Sequence, residues 1–373
     1  MTLQHAVSTY DEATTSAISR QLLTNIARAH HHQPIHFTAV SNIAATFDFR
    51  FNAGATPALG GLSGNAILPI FGGSVAENPT ISIVPIEGEE FTRRLLTPFQ
   101  QSKFMLLLRQ RFDIDLLLRL MAQEVRIHQA QSHTAYRNDP ADTAGYEMFR
   151  KIVLHLSAIQ DQNQLQAEPL TLEHDWTLPV SSVSAEGFHT LEKKFSVQHD
   201  PAKKLFLLHQ KKQGPILITN YDPDTLTEKE REQLSEQAME WDPNDVAFDI
   251  RTDGVGGKWP MKGIFRLRSF HAIISALGRS LGDVPERYVA KDSRTPPILN
   301  DENPDATMEI LITSTPPPNA DMTIHSYGKY YAVNNQQPHA RWNRDAFQML
   351  YLLFQMTVTD LPHASMPGIT IAK

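Results

Sequence analysis

The alternation of apolar and polar positions is densest between Pro79 and Val125. Ile81, Ile83 and Ile86, with Val84 and Pro85 between them, predict a short buried strand stopped by Gly88. A helix is expected next. Glu89 and Glu90 would meet the positive end of its dipole, and Phe91, Leu95 and Leu96 supply the apolar stripe. Thr97-Pro98 predicts a stop and a restart, with Thr97 capping a second helix and Pro98 in its first position. That helix carries Phe104, Leu107 and Leu108 on one face and breaks near Phe112-Asp113. Asp113 is placed to cap a third helix, in which Ile114, Leu117, Leu118, Met121 and Val125 recur at helical spacing. Leu116 and Leu120 widen its stripe, so burial on more than one side is expected. Arg109, Arg111, Asp113, Asp115 and Arg119 interrupt the segment too often for a membrane-spanning helix, which needs roughly 20 apolar residues.

Upstream, a polar lead to about Thr14 precedes a helical pattern in Ile18, Leu22, Leu23 and Ile26 that ends at His30-His31-His32. From Ile35 to Phe51 the chain reads as a strand, with Phe47, Phe49 and Phe51 alternating against Asp48 and Arg50. The glycine-rich stretch from Asn52 to Ser74 predicts a mobile loop or an extended hairpin. Downstream, Ala130 to Gly145 is polar and turn-rich, and Phe149, Ile152, Val153, Leu156 and Ile159 mark a helix. A glutamine-rich stretch ending at Glu168-Pro169 sets the expected division into halves 1–165 and 166–373.

The second half predicts a short helix from Ala185 to Phe195, then strands Lys204 to Gln210 and Gly214 to Tyr221 joined by a turn at Lys211 to Gly214. Asp224 to Glu240 is charged throughout and reads as an exposed helix capped by Asp224 or Thr227. A strand at Val246 to Arg251, a helix at Ser269 to Leu281 and a strand at Met308 to Thr313 follow. A hairpin turning at Tyr327-Gly328, a helix from Asp345 to Val358 and a last strand at Gly368 to Ala372 complete the order. The fold class is α+β in two mixed halves, each with short strands and Leu/Phe-rich helices. Ser19 to Pro34 and Arg268 to Pro285 share an outline that fits a weak internal duplication.

Composition narrows the function classes. With 373 residues and 41% hydrophobic content, the chain can build sizeable cores. Its net charge is −7, and its lysine doublets at 193–194, 203–204 and 211–212 form no basic tract, so nucleic acid is disfavoured as a partner. Cysteine is absent, which removes disulfides, thiol nucleophiles and zinc-thiolate sites. The first twenty residues hold Asp11 and Glu12 and no apolar signal core, so the chain is expected to be cytoplasmic or to begin after a removed signal.

Candidate chemistry is sparse. His32 and His36 have the i, i+4 spacing of metal ligands, but Pro34 between them breaks the helix that would align them. The glycines of 52–74 lack the Lys-Ser/Thr of a phosphate cradle, and Thr252 to Lys258 lacks its spacing and is followed by Trp259-Pro260, so a hairpin connection is expected there. Ser269 and His271 are two apart on one predicted helix and do not face each other. Asp249, Asp253 and Asp283 remain as acids that tertiary structure alone could bring together. No catalytic, cofactor-binding or metal-binding residue is assigned, and no cofactor is expected.

Several segments resemble an uncharacterised family of bacterial envelope proteins. They are Gln21 to Arg28, Pro34 with His36 to Ile43, and Asn78 to Pro98, resumed by Arg266 to Gly278, Tyr330 to Asn335 and Phe347 to Met356. The centre, about 160–260, matches poorly. The resemblance implies a location and no activity: many members look like outer-membrane lipoproteins facing the periplasm, anchored through a lipid-modified cysteine that this chain lacks. The expected role is a non-catalytic structural or protein-interaction module of the cell envelope with protein partners there. Two alternatives stand beside it, a hydrolase of an envelope substrate and a soluble ligand-binding protein using Tyr330, Tyr331 and Trp342.

Overall fold

The computed structural model describes residues 3–57, 67–129, 132–238, 241–298, 303–318, 320 and 322–358. Helix α1 (Leu3–His30) starts well before Thr14, so the polar lead is helical too. Its Leu22, Leu23 and Ile26 are fully buried, as their spacing requires. Strands β1 (Phe37–Pro57) and β2 (Ile67–Ile86) pair antiparallel with each other, and no third strand joins them among the described residues. The described part of the glycine-rich stretch therefore belongs to an extended hairpin.

Helices α2 (Glu89–Leu96), α3 (Gln101–Arg109) and α4 (Ile114–Met121) follow. The expected role of Thr97 and Pro98 is corrected. Thr97 terminates α2, its hydroxyl donating to the Arg93 carbonyl at 2.7 Å, and Pro98 forms a β-bridge with Ser269. The Phe99 N–H donates to the Arg268 carbonyl at 3.0 Å, which keeps this piece extended and delays α3 to Gln101. Asp113 does cap α4, accepting from the Asp115 N–H at 2.8 Å, and every residue of α4 is buried. The helix stops before Val125, which lies in β3 (Ala122–Gln129). There Val125 and Ile127 are buried while Glu124 and Arg126 are only partly so, a period of two that coincides at Val125 with the helical one.

The polar stretch after it contains β4 (Ser132–Arg137), which pairs with β3. Asp142 caps α5 (Thr143–Asp161) by accepting from the Gly145 N–H at 3.1 Å. Then come β5 (Gln166–Pro179), α6 (Ala185–Glu192), β6 (Ser196–Asp200) and β7 (Leu205–Thr219). The turn expected at Lys211 to Gly214 does not form, because β7 runs through it while paired to β5, and a register shift at Pro169/Thr171 absorbs the irregularity. Thr227 caps α7 (Glu228–Ala238) with Glu230 reaching back to its N–H at 2.9 Å. A hairpin joins β8 (Asp245–Ile250) to β9 (Met261–Leu267), and Ser269 caps α8 (Phe270–Ser280). The chain ends in β10 (Ile310–Thr313), β11 (Thr323–Ser326), β12 (Lys329–Val333) and α9 (Ala340–Thr357), which starts before the expected Asp345. The expected strand at Gly368 to Ala372 lies outside the described residues.

The largest sheet runs β4-β3-β9-β8-β7-β5, with β6 also on β7; its pairs are antiparallel except β7 with β8. A second sheet has the order β10-β12-β11. One core cluster takes Phe104 and Leu117 from α3 and α4, Phe149 from α5, Phe248 and Phe265 from the sheet, and Phe270 and Leu350 from α8 and α9. Helices α1 and α8 cross closely at Gly278, where a Cβ would sit 2.5 Å from that of Ala29. The result is an α+β fold.

Candidate functional site

The β1–β2 hairpin leaves the body at a clamped base. The Phe37 ring is fully buried and stacks on Phe354 at 4.6 Å between centroids, with Phe270 at 6.0 Å and Phe91 at 6.1 Å. Buried Asn25 on α1 pairs with the backbone of His36 in both directions: its Nδ2 donates to the carbonyl at 2.8 Å, and its Oδ1 accepts from the N–H at 2.9 Å. Gln21, one turn earlier, accepts from the Thr38 N–H at 2.8 Å. From Phe37 and Ile86 onward, twenty residues of each strand pair with each other and, among the described residues, with no further strand; a bulge between Val40 and Asn42 is the single shift in register.

A cleft of about 910 Å³ lies between the α3–α4 turn, the end of α5, the start of β5 and α9. Its charged lining is mostly paired: Arg109 with Glu168 at 2.7 Å and Arg341 with Asp345 at 3.6 Å. Arg111 adds a cation at a positive φ of 64°, and buried Trp342 forms part of the wall. Among the described residues no histidine, serine, threonine or lysine lines it, so its proton chemistry rests on four carboxylates: Glu168 and Asp345, which serve arginines, Asp113, which caps α4, and Asp161.

Two ion pairs with buried arginines lie inside the body. Arg150 donates to Asp115 Oδ1 and to Asn303 Oδ1, both at 2.6 Å. Arg119 reaches the carbonyls of Pro304 and Asp305 at 3.0 Å each, with Thr307 Oγ1 at 3.1 Å and Glu286 at 3.4 Å. Asn303 in turn donates to the Val289 carbonyl at 2.8 Å. These bonds fasten the irregular stretch between α8 and β10 onto α4 and α5. Burial pushes the neighbouring Tyr146 phenol up to about 12 and pulls Arg268 down to about 10, its guanidinium donating to the Asn138 carbonyl at 2.6 Å.

His155 belongs to the same fastening. Its Nε2 lies 3.1 Å from the Gly256 carbonyl, which can only accept, so that nitrogen carries the proton and Nδ1 is left to accept from Thr295 Oγ1, also 3.1 Å away. Burial pulls its pKa down to about 4; Asp292 counteracts that and Arg294 adds to it. Because the unfolded ring titrates near 6.5, the unfolded state binds the extra proton between the two values. Stability from neutral His155 is therefore full above pH 6.5 and lost as pH falls toward 4, roughly 3 kcal/mol in all. His155→Gln is expected to flatten this acid limb of stability, measured as urea midpoints from pH 7.5 to 4. An unchanged slope would show that another group sets it.

The sequence candidates are scattered. His32 ion-pairs with Asp283 at 3.3 Å, while His31 Nε2 meets the Tyr331 hydroxyl at 2.8 Å; His36 contributes its backbone to Asn25. Asp249 accepts from the Tyr221 hydroxyl at 2.8 Å and from Arg251 at 3.2 Å, on β8. Ser269 is occupied as the cap of α8, accepting from the Ala272 N–H at 3.2 Å. Among the described residues no three His, Asp or Glu side chains group as a metal site. Of the proposed aromatic pocket, only Trp342 lines the cleft. The buried Asp115–Arg150 pair was not anticipated. Its one signal in the sequence was the charge at Asp115 and Arg119, four apart in the otherwise apolar α4. No protein-family model, no curated protein and no solved structure matches the chain.

Proposed function

We propose that this chain is a non-catalytic interaction module of a bacterial cell envelope, facing the periplasm, and that the β1–β2 hairpin is the element through which it associates. The hairpin carries the reading. An isolated two-stranded ribbon is at best marginally stable in water, and two unpaired edges invite another chain. A base fixed by Phe37, Asn25 and Gln21 makes it a built projection of the body. The envelope location rests on the family resemblance of 21–43 and 78–98, segments that hold this base. The cleft favours a second reading, a small-ligand site, since its volume is within the usual range for such pockets.

The test is a variant in which Val40 is joined to Ile83 through Asn-Gly, a turn suited to the flanking strands. Full-length and shortened chains are crosslinked in native cells and recovered from the membrane fraction. The shortened chain is expected to keep the far-ultraviolet dichroism of the body and lose its crosslinked partners. Undiminished recovery of those partners would remove the hairpin from the proposal.

A further inference from the structure

We infer that the β1–β2 hairpin crosses a lipid bilayer, and that several copies of the chain close their hairpins edge to edge into one β-barrel with a polar lumen. This rests on the reading of the hairpin as the associating element, and names what it associates with.

The register carries the inference. In an antiparallel pair, directly opposed residues share a face. Beyond the bulge, the pairs Phe47 with Glu77, Phe49 with Val75, Phe51 with Gly73 and Ala53 with Phe71 fall on one face. Thr46 with Asn78, Asp48 with Ala76, Arg50 with Ser74 and Asn52 with Gly72 fall on the other. Apart from Glu77 the first face is apolar and aromatic, and apart from Ile70, opposite Gly54, the second is polar and small, which is the pattern of strands that have lipid on one side and water on the other. Before the bulge the sense reverses, so that buried Phe37 and its partner Ile86 share the face carrying the polar positions above. The extra residue turns a core-facing base into an outward-facing apolar face.

Length and charge agree. From Ala45 to Ala55 and from Pro69 to Pro79 there are about ten rises of ~3.3 Å, or ~33 Å, and a tilt of ~40° brings the height near the ~25 Å apolar band of known barrels. From Phe51 to Ala76 the sequence has no ionisable side chain, so the end of the hairpin could pass through lipid without carrying a charge. Glu77, the one charge on the apolar face, is two positions from the body-side end of the span. Pro69 and Pro79, which give no N–H to a neighbouring strand, stand at its two ends, where water can serve the carbonyls left over.

The edges require several copies. Backbone groups in lipid must all be paired, so a lone hairpin cannot span. Joining β2 of one copy to β1 of the next is a head-to-tail contact that closes as a ring. The smallest membrane barrels have about eight strands, hence at least about four copies. Asp48, Arg50 and Asn52 then occupy positions on the lumen face, and the assembly is permeable to water and small ions.

The absence of cysteine makes the test clean. Single cysteines at each position from 47 to 52 are labelled with an environment-sensitive dye in the full-length protein and reconstituted into phosphatidylethanolamine–phosphatidylglycerol vesicles. The expected result is flotation with the vesicles, with blue-shifted emission and quenching by lipid-chain nitroxides at 47, 49 and 51 but not at 48, 50 and 52. The unlabelled wild type is expected to release a small entrapped dye and to run in detergent as at least about four copies. No flotation, loss of the alternation or a single-copy species would overturn the inference. If hairpin removal still abolished partner capture in cells, the interaction reading would survive that failure.

Discussion

Arg150→Met is expected to destabilise the fold by about 3–5 kcal/mol, because it leaves the Asp115 carboxylate charged and alone in the core. Both side chains are about 1% exposed, and the pair is 2.6 Å apart. Burial works hardest against the charge on Arg150, but the field and hydrogen bond of Asp115, with Tyr146 and Glu286 beside them, together outweigh it and hold the guanidinium above its ordinary value. The pair is not fully served by hydrogen bonds, since Asp115 Oδ2 and Arg150 Nε have no partner among the described residues. Removing both charges should therefore cost far less than removing one. Urea unfolding of Arg150→Met, Asp115→Leu and the double variant measures this, and the double variant is expected to recover more than half of the single-variant loss. Single losses below about 1 kcal/mol would mean that water reaches the site. Arg150 also holds Asn303, so limited proteolysis is expected to cut the stretch between α8 and β10 faster in Arg150→Met than in the wild type.

How far such features can be read from sequence depends on whether a local pattern carries them. Asp113 and Thr227 were legible as caps because a cap needs only its own next three residues, whereas Ser269 read as the first helical residue and is the cap instead. The turn at Tyr327-Gly328 was legible for the same reason, and both residues have positive φ. Pro98 misled because its bridge to Ser269 is a contact far along the chain, and the continuity of β7 through Lys211 to Gly214 is owed to β5, again a distant partner. Arg119 read as a charge that interrupts an apolar segment; nothing local told that Pro304 and Asp305 would meet it, or that Arg150 would meet Asn303. In the hairpin the alternation at Phe47, Phe49 and Phe51 was visible. The length of the pairing was left open between a loop and an extended hairpin, because Gly54, Gly72 and Gly73 have low strand propensity and pair only through a partner strand distant in sequence.

Phe37→Ala is the second large effect expected, at about 3–5 kcal/mol, and it connects the core to the hairpin. The ring sits among Phe91, Phe270 and Phe354, from α2, α8 and α9, so its removal opens a cavity where three helices meet the first residue of β1. Partial collapse of that cavity must pull on the strand, since Thr38 is tied to Gln21 and His36 to Asn25 on the fixed surface of α1. Phe37→Leu keeps most of the volume and is expected to cost less than about 1.5 kcal/mol. The two variants separate packing from anchoring when stability is measured by urea denaturation and hairpin-dependent crosslinking is measured at a temperature where both remain folded. Phe37→Ala should lose much of its crosslinking and Phe37→Leu little. Wild-type crosslinking by a folded Phe37→Ala chain would mean that the hydrogen bonds from Asn25 and Gln21 suffice to aim the hairpin, and that the aromatic cluster serves the body alone.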